Sequence, residues 1–121
     1  MRRLFIVDDD FDILLSLKIW FSKKGFDVQI FEQSKSLFEA LYKTELLPDL
    51  ILLDVNLRGE DGRDICKKIK QEFIKRPVIL FSANIHALEN FEENCADGFL
   101  HKPFSLQEIH NLINSHIPAQ A

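Results

Sequence analysis

Residues 4–12 read LFIVDDDFD. Four apolar residues, Leu4, Phe5, Ile6 and Val7, give way without a spacer to Asp8, Asp9 and Asp10. The apolar run has the length and composition of a buried strand. Three adjacent carboxylates repel one another, and desolvating any of them is costly unless a cation or a hydrogen-bond donor compensates. A buried strand that ends in acids therefore marks a place where positive charge belongs.

Working outward, the same kind of run recurs. LFIV (4–7), VQIF (28–31), LILL (50–53), VILF (78–81) and GFLH (98–101) alternate with stretches of helical periodicity. The first helical segment puts Ile13, Leu14, Leu17, Trp20 and Phe21 on one stripe and stops at Gly25, a residue suited to the left-handed position after a helix. The second opens at Ser36, whose spacing to Glu39 fits a capping box, and runs through Leu37, Ala40 and Leu41. A third, 62–72, carries Ile65, Cys66 and Ile69 and leads to Phe73; a fourth is expected over 85–95. The fifth opens with Ser105 and Glu108, again spaced as a capping box, and buries Ile109, Leu112 and Ile113. Five strands alternating with five helices, the strands apolar enough to be covered on both faces, predict a parallel sheet in a doubly wound α/β fold.

Composition sets the bounds. The chain has 121 residues, enough for one domain spanning 1–121. Hydrophobic residues make up 46% and charged residues 28%, and the run after Met1-Arg2-Arg3 is too short for a signal peptide or a membrane span, so the expected place is the cytoplasm, with no membrane partner. Cys66 and Cys95 form no CxxC pair, which predicts two reduced, structural thiols. A net charge of −4 argues against direct nucleic-acid binding. The basic residues Lys67, Lys68, Lys70, Lys75 and Arg76 alternate with Ile69 and Phe73 as on a solvated helix face. His86, His101, His110 and His116 lack metal-ligand spacing and read as surface residues.

In an open parallel sheet, ligands bind at the carboxyl ends of the strands, and right-handed crossovers put those ends on one edge. The polar residues there are Asp8 and Asp9 after the first strand, Asp54 at the end of the third, Ser82 after the fourth and Lys102 after the fifth. Three converging carboxylates make a hard-oxygen site of the sort Mg²⁺ prefers. A lysine and a hydroxyl on the same edge suit the remaining oxygens of a tetrahedral anion. An Asp so placed can itself be the nucleophile that forms an aspartyl phosphate.

VDDD (7–10), LILLDVNLRGEDG (50–62), SA (82–83) and FLHKPF (99–104), in this order across nearly the whole chain, resemble the receiver domain of two-component response regulators. The resemblance implies a (βα)5 flavodoxin-like fold with strand order 2-1-3-4-5. It also implies Asp54 as phosphoacceptor, Asp8 and Asp9 as the acidic pair that places Mg²⁺, and the backbone carbonyl of Asn56 as a further metal ligand. Lys102 would pair with one phosphoryl oxygen, Ser82 would hydrogen-bond another, and Phe99 would be the aromatic that follows Ser82. A cis Lys102–Pro103 peptide would aim the lysine into the site. The implied function is a phosphorylation-controlled signalling switch, charged by a histidine kinase or histidine phosphotransfer protein, that works as a monomer or a weak phosphorylation-dependent dimer and turns over no external substrate.

Several residues depart from the family's habit. Arg58 and Gly59 stand in the loop after Asp54 where a proline commonly follows the hydrophobic position filled by Leu57, and the interval from Ser82 to Lys102 is short. Cys95 takes a place where glycine commonly ends the fourth helix. Leu15 and Ile19 fall on the side of the first helix opposite Leu17 and Phe21, as a surface for a partner or a further domain. Phe11, Ile13 and Leu14, near the site, are expected to dock the histidine donor.

Rival functions fare worse on the residues. A Mg²⁺-dependent phosphohydrolase with an Asp nucleophile needs a second acid two residues later, where Asn56 stands. A flavodoxin-like FMN carrier needs a hydroxyl- and glycine-rich phosphate loop after the first strand, and DDDF would repel the phosphate. A degenerate receiver serving as a phosphorylation-independent docking module would have no need of the five polar positions. The small side chains of Asn56 and Asn84 beside the site leave room for a hydrolytic water and predict a transient phosphoryl group.

Overall fold

The computed structural model describes residues 1–73, 76–84 and 96–118. Five strands form one parallel sheet: β1 (Arg3–Val7), β2 (Asp27–Phe31), β3 (Leu50–Asp54), β6 (Val78–Ser82) and β7 (Gly98–His101), in the order β2-β1-β3-β6-β7. Counting only these strands, the order is the expected 2-1-3-4-5. Between β3 and β6 the chain makes a small antiparallel hairpin that the sequence did not announce, β4 (Asn56–Leu57) and β5 (Glu60–Asp61). Among the described residues the helices are α1 (Phe11–Lys23), α2 (Ser34–Lys43), α3 (Gly62–Phe73) and α4 (Leu106–His116). The helix expected over 85–95, with Cys95 and His86, lies outside the described residues, as does Lys75.

Alternation along the strands builds two cores. Leu4, Ile6, Leu50, Leu52, Ile79 and Phe81 face α1 and α4, where Leu14, Leu17, Phe21, Ile109 and Ile113 meet them. Phe5, Val7, Ile51, Leu53, Val78 and Leu80 face the other way, onto Leu37 and Leu41 of α2 and Ile65, Cys66 and Ile69 of α3. The central strands β1 and β3 are thus buried on both faces, as a continuous apolar run requires. At the edges, Asp27 and Gln29 of β2 and Phe99 and His101 of β7 reach solvent.

Local chemistry sets the helix ends. α1 closes with Gly25 at φ 92, which turns the chain so that the Phe26 amide reaches back to the Phe21 carbonyl. The Ser105 hydroxyl accepts from the Glu108 amide and the Glu108 carboxylate accepts from the Ser105 amide, a complete capping box for α4. The second helix departs from expectation. It begins at Ser34 with Gln33 as N-cap, and the Ser36 hydroxyl donates back to the Gln33 carbonyl instead of capping.

The histidines and basic residues also depart in part. His110 is half-buried beside Trp20, Phe21 and Phe26, and its pKa is lowered by burial and by the nearby Lys24 and Arg2 charges. His116, also half-buried, sets its ring nitrogens 3.0 Å from the carbonyls of Leu112 and Asp97. Lys70 reaches Asp97 and the Arg76 carbonyl, while Lys67 and Lys68 remain on the solvated face. Among the described residues no helix is long and apolar enough to cross a membrane.

Candidate functional site

The strand ends deliver their polar residues to one edge of the sheet. Asp8 follows β1, Asp54 closes β3, Ser82 closes β6 and Lys102 follows β7. All but the lysine are buried, Asp8 and Ser82 completely. The Lys102 ammonium stands 3.1 Å from Asp8 Oδ2 and 3.1 Å from Asp54 Oδ2, bridging residues far apart in sequence. It also lies 4.9 Å from the centre of the Phe81 ring, which meets Phe104 edge-on. The Lys102–Pro103 peptide is cis, and the Lys102 amide donates to the Ser82 carbonyl.

Local hydrogen bonds hold the carboxylates. Asp8 Oδ1 accepts from the Asp10 amide at 2.9 Å, and Asp54 Oδ1 from the Asn56 amide at 3.0 Å. Ser82 Oγ accepts from the Asn84 amide, and the Asn56 side-chain amide lies 3.5 Å from it. Asp10 takes no part in the acidic group. Its carboxylate accepts from the Asp12 and Ile13 amides as the N-cap of α1. Of the three consecutive acids, two face the site and the third starts the helix.

Electrostatics follow from this crowding. Burial pushes the Asp8 carboxyl up to about 6; the Asp10 amide opposes that rise, the Asp54 charge adds to it and Lys102 opposes it. Burial also works against the Lys102 ammonium, but the Asp8 charge and the bond to Asp54 outweigh it and its pKa is raised. One ammonium does not satisfy the negative charge assembled here. Oxygens of Asp8, Asp9 and Asp54 lie within 4.8 Å of one another, a donor set that fits a hard divalent cation such as Mg²⁺.

The β4–β5 hairpin forms the rim. Its two-residue turn, Arg58-Gly59, uses the glycine at φ 69. Gly62 follows, packed against the end of β3: a Cβ there would stand 2.2 Å from the Asp54 carbonyl oxygen. Ser34 and Glu60, neither singled out by the sequence pattern, meet here, with the Ser34 hydroxyl 2.7 and 2.6 Å from the two carboxylate oxygens. Their 26-residue separation left no local signal.

Phe99, on edge strand β7, is 43% exposed and pairs with Leu80 two positions before the Ser82–His101 pair. On α1, Phe11, Leu15 and Ile19 are exposed at 50%, 41% and 50%. Ile13 is half-buried and lines an apolar recess of about 360 Å³ with Ala83, Lys102, Pro103 and Phe104. Leu14 corrects the expectation for donor docking. It is fully buried, because it shares the inward stripe with Leu17 and Phe21 and points away from the surface that Phe11 and Leu15 occupy.

Comparison with known proteins agrees with this geometry. The family model for the response regulator receiver domain matches residues 4–114. The transcriptional regulatory protein QseB of Escherichia coli O157:H7 is 37% identical over 110 residues, covering 88% of this chain and 49% of that protein, so the chain spans about half the length of this relative. A putative response regulator from Chloroflexus aurantiacus superimposes with a TM-score of 0.86 at 29% identity, covering 98% of each chain. The response regulator TrrA from Thermotoga maritima, in complex with Mg(2+)-BeF, shares the fold with a TM-score of 0.86 at 22% identity, covering 97% of this chain and 100% of its own. With the family model spanning most of the chain and the strand order to match, this protein belongs to the response regulator receiver domain family.

Proposed function

We propose that residues 1–121 form a single receiver domain in which Asp54 accepts a phosphoryl group from a phosphohistidine on a histidine kinase or phosphotransfer protein. The observation that carries this reading is the meeting of Asp54 with Asp8, Asp9, Lys102 and Ser82 at one sheet edge. An Asp54 carboxylate oxygen attacks phosphorus, the phosphorus–nitrogen bond breaks, and the donor imidazole leaves. Asp8, Asp9, Asp54 and the Asn56 carbonyl would hold Mg²⁺, which when bound offsets charge on the phosphoryl oxygens.

Lys102 then has a new anion to pair with in place of the Asp54 oxygen it now contacts, and Ser82 a new acceptor for its hydroxyl proton. Phe99 is the reporter of that movement, on the face formed by β7 and α4. The donor seats on the surface of Phe11, Ile13 and the recess beside Pro103, and Leu15 and Ile19 extend that surface along α1. The output is a changed binding face presented in the cytoplasm to a downstream protein or domain. The chain itself touches no nucleic acid, and it is a monomer or a weak phosphorylation-dependent dimer.

Beryllofluoride with Mg²⁺, a stable mimic of the acyl phosphate, tests this by ¹⁵N NMR. Amide shifts at Ser82, Phe99 and Lys102 are expected in the wild type and absent in Asp54→Ala. A wild-type spectrum that beryllofluoride leaves unchanged overturns the proposal.

A further inference from the structure

The β4–β5 hairpin carries Asn56 and buries Leu57 in the core with residues of α2 and α3, while its turn and its second strand lie at the surface. Two-residue strands are too short to be stable alone. Arg58 and Gly59 form its turn, and neither has the fixed φ that proline would supply there, so the segment has more freedom to lose on ordering. Within the same stretch of chain the Asn56 amide bonds Asp54 Oδ1, the Gly62 amide bonds the Val55 carbonyl, and Asp61 accepts from the Arg63 amide and guanidinium at the start of α3. Polar ties to elements distant in sequence come from the Asn56 side-chain amide, 3.5 Å from Ser82 Oγ, and from Glu60, through Ser34.

Ser34 is the first residue of α2 and is buried, and its one hydroxyl proton is shared between carboxylate oxygens at 2.7 and 2.6 Å. A charge-assisted bond of that length is stronger than a neutral one. α2 is also the helix that needs an acid. Its N-cap Gln33 makes no side-chain capping bond and its first turn has no acidic residue, so the Glu60 carboxylate complements the positive end of the helix from outside it. Both partners gain, and the hairpin is pinned to α2.

We propose that Ser34 is a positioning residue for the divalent cation. By holding Glu60 at the start of α2 it fixes the hairpin that offers the Asn56 carbonyl, and so sets the Mg²⁺ affinity of the site. This rests on the proposed metal set of Asp8, Asp9, Asp54 and the Asn56 carbonyl.

The test is an NMR titration with Mg²⁺ alone, on wild type, Ser34→Ala, Glu60→Ala and the double variant, beside a urea unfolding curve for each. Ser34→Ala should weaken Mg²⁺ binding by about three- to tenfold, as loss of a supporting hydrogen bond to a metal loop does. Glu60→Ala should weaken it at least as much, and adding Ser34→Ala to Glu60→Ala should change nothing further, since the hydroxyl then has no acceptor. A wild-type Mg²⁺ affinity in Ser34→Ala, whatever its unfolding midpoint, reduces the bond to fold stability and overturns the inference. Additive losses in the double variant overturn it as well. If the wild type itself binds no Mg²⁺, the reading of the site fails and takes this inference with it.

Discussion

Replacing Asp8 by asparagine should make the metal-free protein more stable while removing its response to Mg²⁺. Asp8 is fully buried, and burial first of all raises its carboxyl from 3.8 to about 6. That displacement corresponds to roughly 3 kcal/mol lost at neutral pH by keeping the folded, metal-free chain charged at this position. Asparagine removes the charge but accepts through one oxygen only, so either the Asp10 amide or the Lys102 ammonium loses the partner it now has. An unmade bond of that kind costs about 1–2 kcal/mol, which leaves a net gain of about 1–2 kcal/mol. For a chain of 121 residues this is a rise in Tm of roughly 4–8 °C. The assay is urea and thermal unfolding of wild type and Asp8→Asn in EDTA and in Mg²⁺. Wild type should gain stability with Mg²⁺ by mass action and the variant should gain little or none. The pH dependence has a definite sign. A carboxyl with a higher pKa folded than unfolded binds its proton preferentially in the native state. Its cost is therefore absent below about pH 3.8, grows up to about pH 6 and is complete above that. The advantage of Asp8→Asn should thus be full at neutral pH and fade toward pH 4. A variant no more stable than wild type in EDTA, or an advantage that grows on acidification, would refute the reasoning.

The same charge also governs the metal. Because Asp8 must be ionised to bind it, the apparent Mg²⁺ affinity should fall below about pH 6, approaching tenfold per pH unit, and a titration flat from neutrality to about pH 5 would contradict this. Gly62→Ala forces a Cβ against the Asp54 and Val55 backbone, where no side chain can yield, and should cost about 2 kcal/mol or more and depress phosphorylation; wild-type values for both would mean the strands part more easily than their packing implies. Ser105→Ala should remove about 1 kcal/mol through loss of the α4 capping box while leaving the phosphorylation rate unchanged, read from urea midpoints and adduct formation. The phosphoryl group should be lost within hours, given the small Asn56 and Asn84 side chains at the site, and a phospho-form persisting through a day with Mg²⁺ would sink that expectation.

The parts of the fold legible in the sequence were those with a short-range cause. Apolar runs such as Leu4–Val7 and Leu50–Leu53 became the double-faced central strands, Gly25 closed α1, and the Ser105–Glu108 spacing became a capping box. The site was legible in its membership, because polar residues at the ends of successive parallel strands share an edge whatever their packing. Much of its detail was not. Only the family resemblance set Asp10 apart from Asp8 and Asp9, since all three follow the strand, and the start of α1 decides which acid turns to cap it. Leu14 was expected both on the buried stripe and at the donor surface, and helical geometry allows only the first. Ser36 had the right spacing for a capping box, but the helix starts two residues earlier, where Ser34 is drawn to Glu60 by a contact between distant segments. His110 and His116 read as surface residues because their partners, Phe26 and the Asp97 carbonyl, come from other elements.

The central claim is that Asp54 is the phosphoacceptor of a metal-dependent site. Intact mass after incubation with a small phosphodonor such as acetyl phosphate, with Mg²⁺ and with EDTA, on wild type and Asp54→Ala, addresses it directly. The account predicts a single phosphate adduct on the wild type that requires Mg²⁺ and is absent from Asp54→Ala. An adduct that persists in Asp54→Ala, or that forms equally well in EDTA, would contradict it.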